Sequence, residues 1–213
     1  MSNDKVVLDA AHFDSKARQW DENPVFQERA RKIAGALRAM VPLSARMTAL
    51  DYGSGSGLLS FPLKDELGFI TQSDTSPGML AVVEEKIAAQ VVANMATLQA
   101  DLSVAGLPDT RFDLIYSSMT LHHIPDTDAI LAAFHAHLNP GGWLGIADLD
   151  REDGSFHGLS VDVHHGFDRD VLAEKTRRAG FTDVAFRTVF EIEKDQPAGR
   201  RVYPVFLMVA RKA

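Results

Sequence analysis

The sequence contains no cysteine among its 213 residues. That absence excludes disulfides, thiolate metal ligands and thiolate nucleophiles together, because each of them needs this side chain. Any chemistry must therefore come from nitrogen, oxygen or backbone groups.

Long apolar runs and basic clusters are also missing. No stretch approaches the ~20 apolar residues of a membrane span, and residues 1–20 are polar and charged, without the apolar core of a signal peptide. Acidic residues number 29 against 22 basic ones, for a formal charge of -7, and no Lys/Arg group forms a stripe that could follow phosphates. We expect a cytoplasmic protein with no membrane and no nucleic acid among its partners.

Strand and helix patterns alternate along the chain. Apolar residues recur at three- and four-residue steps from Pro24 to Val41, with basic residues such as Arg29 between them, which predicts an amphipathic helix. Seven strands are predicted, over residues 48–52, 68–74, 96–101, 112–118, 143–149, 181–192 and 202–210. At this length and 46% hydrophobic content we expect one α/β domain. Its sheet should have seven strands, mostly parallel, with the last strand antiparallel.

Two details qualify that scheme. Pro204 lies inside the last strand pattern, and because proline lacks an N–H we expect it at the beginning of the strand or beside a bulge. Residues 151–167 have no regular pattern and form the one insertion long enough to be a functional loop.

A glycine-rich turn follows the first predicted strand. The segment from Asp51 to Gly57 reads Asp-Tyr-Gly-Ser-Gly-Ser-Gly, and its glycines allow a close approach of a ligand to the backbone. A dinucleotide fingerprint has the spacing Gly-x-Gly-x-x-Gly, so this spacing disfavours a pyrophosphate. The loop alone is weak evidence for any ligand.

Acidic residues end three successive strands beside that loop. Asp74 lies 21 residues after Gly53, where a carboxylate can accept hydrogen bonds from both hydroxyls of a ribose. Asp101 can accept a hydrogen bond from an adenine amine. Together with Asp51 they converge on the carboxyl edge of one sheet. Each alone is more often a turn residue, but together they favour a ligand that carries an ammonium and a sulfonium.

These segments resemble the class I S-adenosylmethionine-dependent methyltransferases, particularly the small-molecule branch that includes the ubiquinone/menaquinone enzymes. The resemblance extends over roughly residues 45–150. It rests on Ala49-Leu50-Asp51-Tyr52-Gly53-Ser54-Gly55-Ser56-Gly57, Ser73-Asp74-Thr75-Ser76-Pro77-Gly78-Met79-Leu80, Ala100-Asp101-Leu102, Phe112-Asp113-Leu114-Ile115 and Leu138-Asn139-Pro140-Gly141-Gly142. It implies a Rossmann-like three-layer sandwich. In it, residues 1–42 form a helical lid, 43–150 the cofactor-binding core, 151–167 the acceptor loop, and 168–213 the closing helix and strands.

The resemblance also assigns the cofactor site. Gly53 and Gly55 would face the methionine part of S-adenosylmethionine, Asp74 the ribose, and Asp101 with Leu102 the adenine. The remaining residues expected at the cofactor are Trp20, Asp51, Ser54, Thr75, Met79, Ser117 and His122.

Several histidines are candidates for more than one role. His122 and His123 follow the fourth strand, where one imidazole can take a proton from the acceptor, although packing in a loop is the more frequent role. His157, His164 and His165 can line the acceptor pocket or, with His122 or His123, hold a metal. No paired carboxylate has the spacing of metal ligands, so we expect no metal.

The sequence thus predicts methyl transfer to a small molecule by in-line displacement, in a monomer or homodimer. Without cysteine, a pyrimidine-C5 or arsenite mechanism is excluded. The segment 117–120 also lacks the Asn/Asp-Pro-Pro-Tyr group of amide and base N-methyltransferases. Two alternatives remain, a non-catalytic sensor or partner subunit that binds S-adenosylmethionine and a nicotinamide-dependent dehydrogenase.

Overall fold

The computed structural model describes residues 5–104, 107, 110–197 and 199–213. Its α-helices are α1 (Ala10–Asp14), α2 (Pro24–Met40), α3 (Ser60–Leu63), α4 (Pro77–Gln90), α5 (Thr127–His137) and α6 (Arg169–Arg178). Its strands are β1 (Thr48–Tyr52), β2 (Phe69–Asp74), β3 (Met95–Gln99), β4 (Phe112–Ser118), β5 (Leu138–Leu149), β6 (Phe181–Gln196) and β7 (Gly199–Lys212). Two 3-10 turns, Ala17–Glu22 and Leu121–His123, complete the regular structure.

The strands form one seven-stranded sheet in the order β3-β2-β1-β4-β5-β7-β6. Strands β1 to β5 pair in parallel, and β7 is antiparallel to both of its neighbours, β5 and β6. This arrangement confirms the predicted Rossmann-like sandwich, with a mostly parallel sheet and an antiparallel last strand. The carboxyl ends of β1, β2 and β4 therefore meet at one edge of the sheet.

Helices cover both faces of the sheet. On one face, Ile33 and Leu37 of α2 belong to a buried cluster with strand residues such as Leu114. On the other face, Ile130 of α5 and Leu172 of α6 belong to a second buried cluster. The sheet lies between these two apolar layers, which is why its central strands are buried on both sides.

Side chains cap the helices where the sequence offers them. Asn23 accepts from Val25 N–H at the start of α2, and Ser76 accepts from Met79 N–H at the start of α4. Asp168 caps the start of α6, since its carboxylate accepts from the N–H groups of the second and third residues that follow it. These caps satisfy N–H groups that have no partner inside the helix.

Two local features differ from, or refine, the expected pattern. The sequence predicts a turn between helix and strand at residues 139–142, but this segment lies within β5, and Gly141 has a φ of +77° there. Pro204 pairs with Glu191 inside β7, next to the register shift between Thr188 and Phe190, so its predicted place beside a bulge is confirmed.

Residues 151–167 are largely irregular, as predicted, but hydrogen bonds hold both ends of the loop. Arg151 N–H donates to the Phe167 carbonyl at 2.9 Å, and Glu152 N–H donates to the His165 carbonyl at 2.9 Å. Among the described helices, none combines the length and the apolar content that crossing a bilayer requires.

Candidate functional site

The glycine loop after β1 has the left-handed backbone that its sequence predicts. The φ values are +67° at Gly53, +53° at Gly55 and +81° at Gly57, a region that side chains disfavour. A Cβ atom added at Gly53 would collide with Thr120, whereas one added at Gly55 would meet no atom within 4 Å. Gly55 therefore borders open space that a ligand can enter.

Asp74 fixes the shape of that loop. Its Oδ2 accepts from Gly55 N–H at 2.8 Å, and its Oδ1 accepts from Ser76 N–H at 2.9 Å. Burial raises the pKa of Asp74 above its ordinary value. Each oxygen keeps a lone pair beyond these bonds, so the carboxylate can still accept from the hydroxyls of a bound ribose.

Asp101 lies at the same edge, beyond β3. Its Oδ1 accepts from the Tyr52 hydroxyl at 2.9 Å and from the N–H and hydroxyl of Ser103 at 2.8 and 2.6 Å. Within the described residues, no hydrogen bond falls on Oδ2. Leu102 beside it is 5% exposed and offers the apolar wall that a flat base needs.

Asp51 is closed off from solvent beneath the loop. Its side chain accepts from the Ser60 hydroxyl at 2.6 Å, and that hydroxyl is 2.6 Å from the Tyr116 hydroxyl. Burial raises the pKa of Asp51 to about 7, and the nearby Asp74 carboxylate adds to the rise. Asp51 thus lies near the Asp74 carboxylate but is bonded to the protein interior.

The other predicted cofactor residues surround this edge. The Ser54 Oγ is buried with no hydrogen-bond partner among the described residues, and therefore offers an unused polar atom. Met79 is 1% exposed, while Thr75 is exposed. Ser117 donates its hydroxyl to the Tyr52 carbonyl at 2.7 Å, which ties β4 to β1.

Two acidic residues of the N-terminal segment lie across the edge, and the sequence argument did not identify them. Asp14 Oδ1 accepts from the Ser76 hydroxyl at 2.5 Å and from Gly78 N–H at 2.7 Å, at the beginning of α4. Asp21 accepts from the Ser56 hydroxyl of the glycine loop and from Lys86 Nζ, the latter at 2.7 Å. The N-terminal segment is thereby fastened to both the loop and α4.

Aromatic contacts extend the same segment toward the fourth strand. Trp20 packs against Phe26 at a ring distance of 4.8 Å and against Phe13 at 6.1 Å. Phe13 in turn contacts His123 edge-on at 5.5 Å. Phe13 therefore connects Trp20 to the histidine pair that follows β4.

Three imidazoles meet at the end of β4. His122 Nε2 lies 3.1 Å from His157 Nε2, and one ring nitrogen from each of His122, His123 and His157 lies within 4.8 Å of the others. The sequence argument names His157 as a candidate for the acceptor pocket or, with His122 or His123, for a metal, and it expects no metal. The 151–167 loop thus brings one of its histidines to the predicted His122-His123 pair.

A buried carboxylate orients the cluster. Asp148, at the end of β5, places Oδ1 at 2.8 Å from His122 Nδ1 and accepts from His122 N–H at 3.1 Å. Burial lowers the pKa of His123 to about 3 and that of His157 to about 4. At neutral pH both imidazoles are uncharged and present a free lone pair.

Arg29 departs from its expected place on the polar side of α2. Its side chain is only 9% exposed, and its guanidinium lies 4.9 Å from the centre of the Phe26 ring. Burial lowers the pKa of Arg29 to about 10, against an opposing attraction to Asp148. This buried cation offsets the charge of the Asp148 carboxylate.

Comparisons with known proteins agree with this geometry. Residues 50–146 match a family model described as a methyltransferase domain. An uncharacterized methyltransferase of Mycobacterium tuberculosis is 36% identical over 110 residues, which are 52% of this chain and 54% of the relative. A ubiquinone/menaquinone biosynthesis C-methyltransferase of Shewanella piezotolerans is 32% identical over 109 residues, which are 49% of this chain and 43% of the relative. The chain spans about half the length of these curated relatives.

A solved structure shares the fold. The phosphoethanolamine N-methyltransferase 2 of Haemonchus contortus, in complex with S-adenosyl-L-methionine, matches with a TM-score of 0.72 at 18% sequence identity. The match covers 85% of this chain and 52% of that one. At this identity the likeness establishes the architecture of the sheet and its helices.

Proposed function

We propose that this chain is a class I S-adenosylmethionine-dependent methyltransferase that moves the methyl group of S-adenosylmethionine to a small molecule by in-line displacement. The match of residues 50–146 to a methyltransferase domain and the similarity to two named methyltransferases support the proposal. One observation carries the proposal. The open backbone at Gly55, the carboxylate of Asp74 and the histidine pair all stand at one edge of the sheet.

The donor fits the residues at that edge. The open space beside Gly55 and the unpaired Ser54 Oγ would receive the amino-acid part, with the Gly53 backbone next to it, and Asp74 would accept from the ribose hydroxyls. The Oδ2 atom of Asp101 would accept from the adenine amine. The wall around the adenine and the sulfonium would come from Trp20, Thr75, Met79, Leu102 and Ser117.

When bound, the donor supplies a methyl carbon that already carries a good leaving group. The chain therefore has to align the acceptor with that carbon and exclude water, and a dedicated base is optional. His122 and His123 stand one short turn from the glycine loop, since Thr120 donates to the Gly53 carbonyl at 3.2 Å. We assign them to the acceptor side, where the uncharged imidazole of His123 would contact the nucleophile.

The N-terminal segment would close the site. Its bonds from Asp14 to α4 and from Asp21 to Ser56 cross the strand edge. Residues 1–42 would act as a lid in this assignment, and residues 151–167 would shape the acceptor pocket around His157.

A small acceptor is supported by charge and by the named relatives. The net charge of -7 disfavours a polyanionic acceptor such as nucleic acid. One relative is named for ubiquinone/menaquinone biosynthesis, and the structural neighbour is named for phosphoethanolamine. Both names refer to small molecules.

The proposal is tested by calorimetric titration of S-adenosylmethionine into wild type and Asp74→Ala, followed by mass spectrometry for S-adenosylhomocysteine with a panel of small acceptors. We expect Asp74→Ala to lose measurable binding, because it removes both the ribose acceptor and the bond that shapes Gly55. Asp65→Ala, which removes a carboxylate that is 86% exposed, should bind as wild type does. Unchanged affinity in Asp74→Ala would contradict the donor site, and tight binding without turnover on any acceptor would favour a non-catalytic sensor.

A further inference from the structure

The spacing of three imidazole nitrogens is close to that of a metal site. His122 Nε2 and His157 Nε2 are 3.1 Å apart, and a nitrogen of His123 joins them within 4.8 Å. Ligands of a tetrahedral ion with Zn–N bonds of about 2.0–2.1 Å lie roughly 3.3 Å apart. The His122 and His157 nitrogens already have nearly that separation. A rotation of the half-buried His123 side chain would bring its nitrogen to the same distance from them.

The surroundings of His122 resemble those of a metal ligand. Asp148, which is fully buried, contacts Nδ1 of His122 at 2.8 Å and accepts from the N–H of His122 and of Leu149. A carboxylate on one ring nitrogen places the proton there and leaves the lone pair of the other nitrogen free. In this chain that nitrogen is Nε2, which lies within hydrogen-bond distance of His157 Nε2 at 3.1 Å, so a bound ion would replace the proton between the two rings.

The cluster is held from both sides. The His164 N–H donates to the His122 carbonyl at 2.8 Å and fastens the 151–167 loop to the turn after β4. His122 is 1% exposed, while His123 and His157 are partly exposed. An ion could therefore enter from the side of His123 and His157 and meet a ligand set that is already largely assembled.

We propose that His122, His123 and His157 bind one divalent transition-metal ion, with Asp148 as the positioning residue behind His122. Three nitrogen ligands suit Zn²⁺ or Co²⁺ and do not suit Mg²⁺ or Ca²⁺, which prefer oxygen. Three protein ligands leave a fourth position open. The buried Arg29 and the nearby Lys194 carry positive charge that opposes a loosely held cation, so affinity has to come from direct coordination by the imidazoles.

The open position gives the ion a role that rests on the proposed function. A hydroxyl of the acceptor bound there would lose its proton to solvent at neutral pH, because a metal ion lowers the pKa of a coordinated oxygen. The oxygen would then form its bond to the methyl carbon as the carbon–sulfur bond breaks, and sulfur would keep the electron pair. Binding of the ion itself does not depend on this step.

The test is metal binding by the full chain in the absence of methyl donor. The chain is stripped with a chelator and titrated by calorimetry with Zn²⁺, and Co²⁺ is followed by its visible absorption. We expect one ion per chain, tetrahedral cobalt bands, and no heat from Mg²⁺. His157→Gln and His123→Gln should each weaken Zn²⁺ binding at least tenfold, and Asp148→Asn by about 10–100-fold.

A control separates this cluster from adventitious binding to histidine. His135→Gln, on the helix α5, should leave the affinity unchanged, and circular dichroism should show that every variant is folded. Binding that is absent, exceeds one ion, or is equal in wild type and His157→Gln would overturn the metal site. Tight, cluster-dependent binding in a protein that does not bind S-adenosylmethionine would keep the metal site and refute the proposed function instead.

Discussion

Replacing Asp51 with asparagine should make the protein more stable at alkaline pH. In the folded chain, burial raises the pKa of Asp51 from an ordinary value of 3.8 to about 7. The folded state therefore binds this proton more tightly than the unfolded state does. Between pH 4 and 7 the free energy of unfolding falls as pH rises, because unfolding releases the proton that Asp51 holds in the folded state.

The magnitude follows from the size of that rise. A difference of about 3 pKa units corresponds to roughly 4 kcal/mol, at about 1.4 kcal/mol per unit. The asparagine side chain would have no charge to bury, and its carbonyl oxygen could still accept from the Ser60 hydroxyl, which now donates to Asp51 at 2.6 Å. Asp51→Asn should match wild type at or below about pH 4, exceed it by about 1.5 kcal/mol at pH 5, and exceed it by up to about 4 kcal/mol at pH 8.

The assay is urea unfolding followed by circular dichroism at several pH values, without methyl donor. Asp65→Asn is the matched control, because its carboxylate is 86% exposed and should give no pH-dependent difference. A variant that is less stable than wild type at pH 8, or a difference that is constant across pH, would refute the reasoning.

Three further substitutions test the site. Gly55→Val should abolish binding of S-adenosylmethionine in calorimetry, since its side chain would fill the open space. Gly199→Val, also at a positive φ but at the start of β7, should bind normally although its melting temperature falls. Asp21→Ala should release the N-terminal segment from Ser56 and raise the dissociation rate of the donor several-fold in stopped-flow measurements, and an unchanged rate would contradict a lid. His123→Ala should lower kcat by about tenfold or less with a nearly unchanged donor affinity, and a loss of donor binding instead would place this residue at the cofactor.

Local signals explain how much could be predicted. The glycines at 53–57 and the aspartate that ends β2 act on neighbouring residues, and the sequence predicted both. Asp101 was expected to end the third strand and instead lies two residues beyond it. Asp148 also ends a strand, so the same rule could have identified it. The site roles of these residues stay predictions until a ligand is observed.

Long-range contacts explain the rest. His157 lies 35 residues from His122 in an irregular loop, and no periodicity predicts where such a loop folds back. Arg29 has the spacing of a surface residue on α2, and it is buried only because the helix packs against the sheet near Asp148. Asp14 and Asp21 accept hydrogen bonds from serine hydroxyls that are more than 30 residues away in the sequence.

The sheet is not completed in the order in which the chain is made. Strand β7 is synthesised after β6, yet it pairs between β5 and β6. During translation the edge of β5 therefore stays open, and β6 has no partner until the last strand arrives. We expect the nascent chain to be most prone to aggregation in that interval, since unpaired strand edges readily join other chains.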